Sequence, residues 1–305
     1  MIKKIIVTND VGHQITLDLY NPWLSGFAVK SITGLGPSDA TVNITDIVTQ
    51  DGGIYNSARQ QQRNIVLELL FVQTTKGESI ETVRQKTYRY FPVKRPITIQ
   101  IETDNRKAVT TGYVESNEPN IFSKEEGTSI SIICPDPHLY SAGNDDVTTF
   151  LTVTPNFEFP FSNESLLTPT LLLGTINTTS AGTVNYRGDS EVGMIVYIHA
   201  AGLAENIVIS NIQTGEQMAI DTDKLTTITG SAISKGDDIY IDTVKGEKSV
   251  TLIRDGKYYN ILNCLDKDSD WLSLVKGDNL FAFNADKGVT NLYFQIINKT
   301  LYEGV

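Results

Sequence analysis

The feature that most constrains this chain is the recurrence of short segments that alternate apolar and polar residues, or concentrate β-branched ones. In "NIVLELLFV", residues 64–72, side chains of one parity are apolar along most of the run. "KKIIVT", "QITLDLY", "TVNITDIV", "PITIQIE", "VTTGYVES" and "TSISIIC" read the same way. A period of two places one side-chain set on a buried face, so each segment is expected to be a strand. Between them lies turn chemistry, in "NDVG", "GLGPSD" and "DGG". One segment breaks the pattern. In "GESIETVRQKTYRYFP", Ser79 is placed to cap a helix and Glu81 falls in its first turn. Ile80, Val83, Thr87 and Tyr90 or Phe91 share one face, and Pro92 stops the helix. A sheet with a single helix packed on it is expected for this part.

After Tyr140 comes "SAGNDDVTTF", a small, polar stretch that reads as a linker. The remainder reads as almost purely β: "TPTLLLGTI", "GTVNYRG", "GMIVYIHA", "NIVISNIQTG", "DDIYIDTVKGEKSVTLIRDGKYYNIL", "LFAFN" and "TNLYFQIIN". Short strands at close spacing with Gly or Asp-Gly turns predict a sandwich or barrel, with no useful helical periodicity and no fixed-period repeat. The 305 residues are therefore divided into two domains, 1–140 and 141–305. Charge respects that division. Residues 1–140 hold 14 Lys+Arg and 15 Asp+Glu, a balance of −1, and the rest hold 11 and 21, giving −10 of the net −11. An acidic second part argues against nucleic-acid binding there, and against an anionic membrane surface. The opening "MIKKIIVTNDVG" has no apolar core of signal-peptide length, and no apolar run reaches a membrane span; "LLTPTLLLGTI" is short and carries Pro169. The chain is expected neither to export itself nor to enter a membrane.

Reactive residues gather in few places. "CPDPHLY" puts Cys134, Asp136 and His138 together. A zinc site needs three or four ligands, and no second pair exists: His13 and His199 stand alone, as does Cys264. A thiol nucleophile needs a positioned base, but Pro135 and Pro137 hold this stretch extended and part the two side chains. Cys134 is thus expected to be a buried, reduced thiol at a strand end, and Cys264 a buried, reduced thiol as well. "DKDSD" sets Asp266, Asp268 and Asp270 like the start of a calcium loop. Trp271 then stands where Gly is needed, and Gly277 where the bidentate Glu belongs. "GLGPSD" lacks the Lys-Ser/Thr of a phosphate-cradling loop. No cofactor, metal or catalytic residue is expected, and so no enzyme. Trp271, Tyr258 and Tyr259 are candidates for stacking on a sugar, which would make the second part a carbohydrate-binding module for host-surface adsorption; as sandwich core they are explained without one.

Longer ordered stretches carry more information. "DGGIYNSARQQQRNIVLELLF" joins a turn, an Arg-containing crossover and a strand. The helix ending in "YRYFPVKRPITIQIETDNR" comes next, then "GYVESNEPNIFSKEEG" and "ISIICPDPHLY". Near the other end come "IVISNIQTGEQM", "DDIYIDTVKGEKSVTL", "WLSLVKGDNLFAF" and "YEGV". This succession resembles the distal tail proteins (Dit) of siphophages over nearly the whole chain, most vaguely at 141–170. The resemblance implies a mainly β protein: an N-terminal β-sandwich with one helix and a hairpin arm that closes a hexameric ring, and a C-terminal galectin-like or jelly-roll sandwich outside it. It implies a structural hub in the baseplate at the virion tail tip, assembled in the host cytoplasm. The homo-hexamer would join the tail tube protein to the tail-associated lysin (Tal) and to receptor-binding proteins, with DNA passing through the lumen ungripped. Within such a ring, residues 22–40 and 115–127 are expected as arms, and Arg59, Arg63, Arg84 and Arg89 as contacts to a neighbour's carboxylates, with solvated or intrachain roles as the alternative.

Overall fold

The computed structural model describes the chain apart from residues 48–50, 123 and 156–173. Most of the strand expected at 168–176 lies outside the described residues. The chain divides into two compact units: residues 1–144 together with 301–305, and residues 145–300. The division expected from sequence falls at 140/141, and no sequence signal pointed to Leu301–Val305 rejoining the first unit.

Ten strands of the first unit precede the second: β1 (Ile2–Asn9), β2 (Gln14–Asp18), β3 (Phe27–Thr33), β4 (Ala40–Asp46), β5 (Gly53–Gln60), β6 (Arg63–Phe71), β7 (Pro96–Thr103), β8 (Lys107–Asn120), β9 (Gly127–Cys134) and β10 (Leu139–Ser141). Seven form one antiparallel sheet in the order β2-β1-β7-β8-β9-β6-β3. β10 branches from β8, pairing Tyr140 with Val109. Alternation decides the inner face: Ile65, Leu67 and Leu69 of β6 meet Ile5 and Val7 of β1, Ile97, Ile99 and Ile101 of β7, and Ile130 and Ile132 of β9 in one buried cluster. Helix α1 (Ile80–Tyr90) adds Val83 to this core, with Phe91 just beyond its end. Ser79 caps the helix, its hydroxyl accepting the Thr82 N–H at 3.2 Å.

The second unit contains β11 (Asp146–Thr149), β12 (Leu151–Pro155), β13 (Gly174–Thr178), β14 (Ala181–Tyr186), β15 (Val192–Gly193), β16 (Ile195–Ala200), β17 (Glu205–Asn211), β18 (Gln217–Ile220), β19 (Asp238–Asp242), β20 (Ser249–Arg254), β21 (Lys257–Asn260), β22 (Ser273–Leu274), β23 (Gly277–Lys287) and β24 (Leu292–Asn298). A six-stranded sheet, β11-β24-β16-β19-β20-β21, and a four-stranded one, β14-β23-β17-β18, carry most of them. Both send alternate residues inward, Val196 and Ile198 from β16, and Ile207 and Ile209 from β17. Phe283 of β23 stacks on Phe294 of β24 with ring centroids 4.1 Å apart, so the two sheets share a core as in a sandwich.

Two expectations need correction. The second unit is not helix-free: Thr222–Thr229 forms α2, capped by Asp221 and ended by Gly230 in the left-handed conformation. The expected arms are also misplaced. Phe27–Thr33 pairs with β6, and β8 runs unbroken through residue 120 against β9, so these stretches belong largely to the sheet. The segment that stands apart is β4 with β5, paired only with each other.

Candidate functional site

β4 and β5 form a two-stranded antiparallel hairpin in which every residue from Ala40 to Asp46 and from Gly53 to Arg59 is exposed. Its register pairs Val42 with Ala58 and Ile44 with Tyr55, with a bulge between Asn43 and Ile44. One face is therefore apolar. The other carries Thr41, Asn43, Thr45, Ser57 and Arg59, with Ile54 opposite Thr45 as its one large apolar residue, and is tied by Asn43 Nδ2 donating to Ser57 Oγ at 2.9 Å. Val42, Ile44 and Tyr55 are 51%, 59% and 63% exposed, which is the opposite of what such residues do in a closed core. A lone two-stranded hairpin is marginal in water, and an apolar face on it marks a contact surface.

The root of this arm is built around Arg63, which is 2% exposed. Its Nε donates to Pro137 O at 2.7 Å, its Nη1 to Gly34 O at 2.6 Å and to Gly36 O, and its Nη2 to Glu303 O at 3.0 Å. One guanidinium thus ties the segment entering the arm, the strand leaving it, the exit from β9 and the segment after β24. Burial lowers its pKa, while Cys134, Glu303 and Asp136 act in the opposite sense. Gly34 has φ +82°, and a Cβ there would meet Asn64 O at 1.9 Å, so this crossing needs glycine. A cleft of about 500 Å³ opens beside the root, lined by Pro37, Ser38, Asp39, Gln61, Gln62 and Arg63 among others.

The four arginines expected at a ring contact are therefore not equivalent. Arg59 is exposed on the polar face of the arm. Arg63 is withdrawn from that role, because its donors are spent inside its own chain. Arg84 lies 4.0 Å from Glu81 and 3.9 Å from Glu126, and exposed Arg89 reaches His13 Nδ1 at 3.5 Å. Sequence reasoning missed the arm's apolar face, although Val42, Ile44 and Tyr55 were its available signal.

Elsewhere the reactive residues have ordinary surroundings. Cys134 is fully buried in the core, and burial is the largest cause raising its thiol pKa. Asp136 accepts the His138 N–H at 3.0 Å and the Tyr140 hydroxyl at 2.7 Å, closing the turn after β9. Asp266, Asp268 and Asp270 lie in a loop whose backbone bonds to β18. Among the described residues, no group of three or more His, Cys, Asp and Glu is arranged to hold a metal ion. No helix among them is long and apolar enough to cross a membrane. Tyr258, at 75% exposure, is not sandwich core, which corrects that part of the expectation. Tyr259 is next to it on β21 and so faces the opposite side. Lys248 Nζ lies 4.9 Å from the centroid of the half-buried Trp271 ring.

Residues 187–296 match the family model described as siphovirus-type tail component, C-terminal domain. No curated protein is significantly similar in sequence. Among solved structures, the chain is similar to the Dit protein of phage SPP1, presented as a paradigm of the hub adsorption apparatus in phages infecting Gram-positive bacteria. The identity is 12%, covering 97% of this chain and 98% of that one, with a TM-score of 0.59. Chains of the phage P2 baseplate in its activated conformation also align, with Ca at TM-score 0.44 and with Sr at 0.42, each at 14% identity; they cover 100% and 99% of both partners. The siphovirus-type tail component match thus lies within the second unit, and the fold is shared with the SPP1 protein along nearly the whole length.

Proposed function

We propose that this chain is a structural hub of a phage tail tip, in which the first unit assembles with five further copies into a closed ring. The observation that carries this reading is the β4–β5 arm: a hairpin whose apolar face is left exposed by the described residues. A head-to-tail contact buries such a face on the next copy, and a closing rotation ends growth. It also answers the exposed edges of the sheet at β2 and β3. In this reading Arg59 lies at the copy-to-copy contact, with Arg84 and Arg89 as secondary candidates. The ring joins the tail tube protein to the tail-associated lysin and to receptor-binding proteins in a virion assembled in the host cytoplasm. DNA passes the near-neutral first unit without being gripped. No turnover is assigned to the chain.

The test is light scattering and negative-stain microscopy of the full chain across concentration, alone and with tail tube protein and lysin. Six-fold particles that are lost in Ile44→Asp and Tyr55→Asp, with the thermal transition retained, are expected. A monomer under every condition overturns the reading. The carbohydrate-binding alternative has one observation in its favour, exposed Tyr258. A glycan array showing reproducible binding that Tyr258→Ala abolishes would establish it; none is expected, because the adjacent Tyr258 and Tyr259 face opposite sides of β21.

A further inference from the structure

The last residues of the chain do more than end it. β25 (Leu301–Tyr302) pairs Leu301 with Tyr140 and Tyr302 with Leu139 of β10. Leu301 is 4% exposed, and Val305 packs against the core of the first unit. Beyond β25 the chain runs along the root of the arm. Gln60, the last residue of β5, donates from Nε2 to Glu303 Oε2 at 3.2 Å. The Val305 N–H donates to Leu35 O at 3.2 Å, in the segment between β3 and β4 that enters the arm. Two arginines grip the same backbone: Arg63 donates to Glu303 O at 3.0 Å, and Arg106 to Gly304 O at 2.7 Å. Arg106 also lies over the Tyr302 ring, 4.6 Å from its centroid. The approach is close. A Cβ on Gly304 would meet Leu35 O at 2.9 Å and the Cα of Gly36 at 3.2 Å. So five residues, distant in sequence from the arm, touch both segments of its root and the body of the sheet.

We propose that Leu301–Val305 is a strap that fixes the direction in which the β4–β5 arm leaves the first unit, with Arg63 as the positioning residue that locks strap to root. The arm has no buried face of its own, so its direction is set where Gly34–Gly36 and Gln60–Arg63 meet the sheet. The strap closes that root from the outside. It is also the second covalent link to unit two, since Thr300 precedes it. Displacing the strap therefore frees the arm root, and tension on the second unit acts on the same residues. The consequence for assembly rests on the proposed ring contact, whereas the effect on the root does not.

The experiment uses the full chain carrying Gly304→Val, which forces the strap off Leu35, and Gly304→Ala as the milder variant in case the first fails to fold. Hydrogen exchange is tracked in peptides covering 34–39 and 60–64, with 97–101 as an internal control, and assembly by light scattering. At least tenfold faster exchange at the root, unchanged control peptides and at least tenfold weaker assembly are expected. Unchanged root exchange in a folded variant overturns the strap. Faster root exchange with undiminished assembly overturns its positioning role. Wild-type protein that never assembles refutes the ring instead, and the exchange data still decide whether the strap holds the root.

Discussion

Arg63 shows how much a single side chain can organise when four of its five N–H donors meet backbone carbonyls. Its guanidinium meets four carbonyls, and its acceptors lie 27, 29, 74 and 240 residues away. Hydrogen bonds to a charged group are worth more than neutral ones, and removing the donor strands the buried acceptors. Arg63→Met is thus expected to lower unfolding stability by about 3 kcal/mol or more, measured by chemical denaturation. Arg63→Lys should recover only part, because an ammonium lacks the planar fork that reaches several carbonyls. The thiols offer a second check at this scale. Cys134 and Cys264 are both 0% exposed, and desolvation raises both pKa values. A raised pKa leaves little thiolate at pH 8, and burial blocks access. Neither should react with a water-soluble disulfide reagent at pH 8 until the chain unfolds, when two thiols per chain should appear. Prompt reaction in the folded state would contradict the burial of both side chains.

Elements were legible where a buried face imposes a period. β6 and β9 alternate because one side meets the core, and α1 carries Ser79 at its start and Pro92 after its end, so both could be read from residue order. The arm could not. "DGGIYNSARQ" has no buried side to imprint a period of two, and its Gly, Asn and Ser read as turn and crossover. α2 escaped for another reason. Its eight residues contain four Thr, which favour strands, and its start depends on one cap. Asp221 accepts the Asp223 N–H at 2.9 Å and the Lys224 N–H at 3.2 Å. Asp221→Ala is expected to cost about 1 kcal/mol. The backbone N–H of Lys224 is the largest influence holding this carboxyl below the usual aspartate range. A lowered folded-state pKa gives stability that is present above the unfolded value and lost as pH falls through the folded one. The difference between wild type and Asp221→Ala should therefore be constant near pH 7 and shrink below about pH 4. A difference that grows on acidification would rule out the cap.

At the scale of the whole molecule, the second unit is an insertion into a hairpin of the first. Tyr140 of β10 lies opposite Leu301 of β25, yet residues 145–300 come between them. This arrangement was invisible in the sequence, because "YEGV" carries no pattern that names a partner so far back along the chain. It changes what the first unit is. A chain cut after residue 140 lacks β25, loses buried Leu301 and the packed Val305, uncovers Leu35 and takes one acceptor from Arg63. Losing a buried aliphatic side chain alone costs roughly 2–5 kcal/mol, a large part of a small domain's stability. Antiparallel strands this close can be joined by a two-residue turn. Residues 1–140 linked through Asn-Gly to 301–305, which joins the paired Tyr140 and Leu301, should therefore fold as the complete first unit without the second. The joined chain is expected to be more stable than residues 1–140 by at least about 2 kcal/mol in matched denaturant titrations, on the same aliphatic-burial grounds. Its arm-root peptides should also exchange as slowly as in the full chain, while those of the truncated chain exchange faster. Equal stability of the two short chains would mean that the terminal strand contributes nothing to the first unit, and that the fold is complete before β25 arrives.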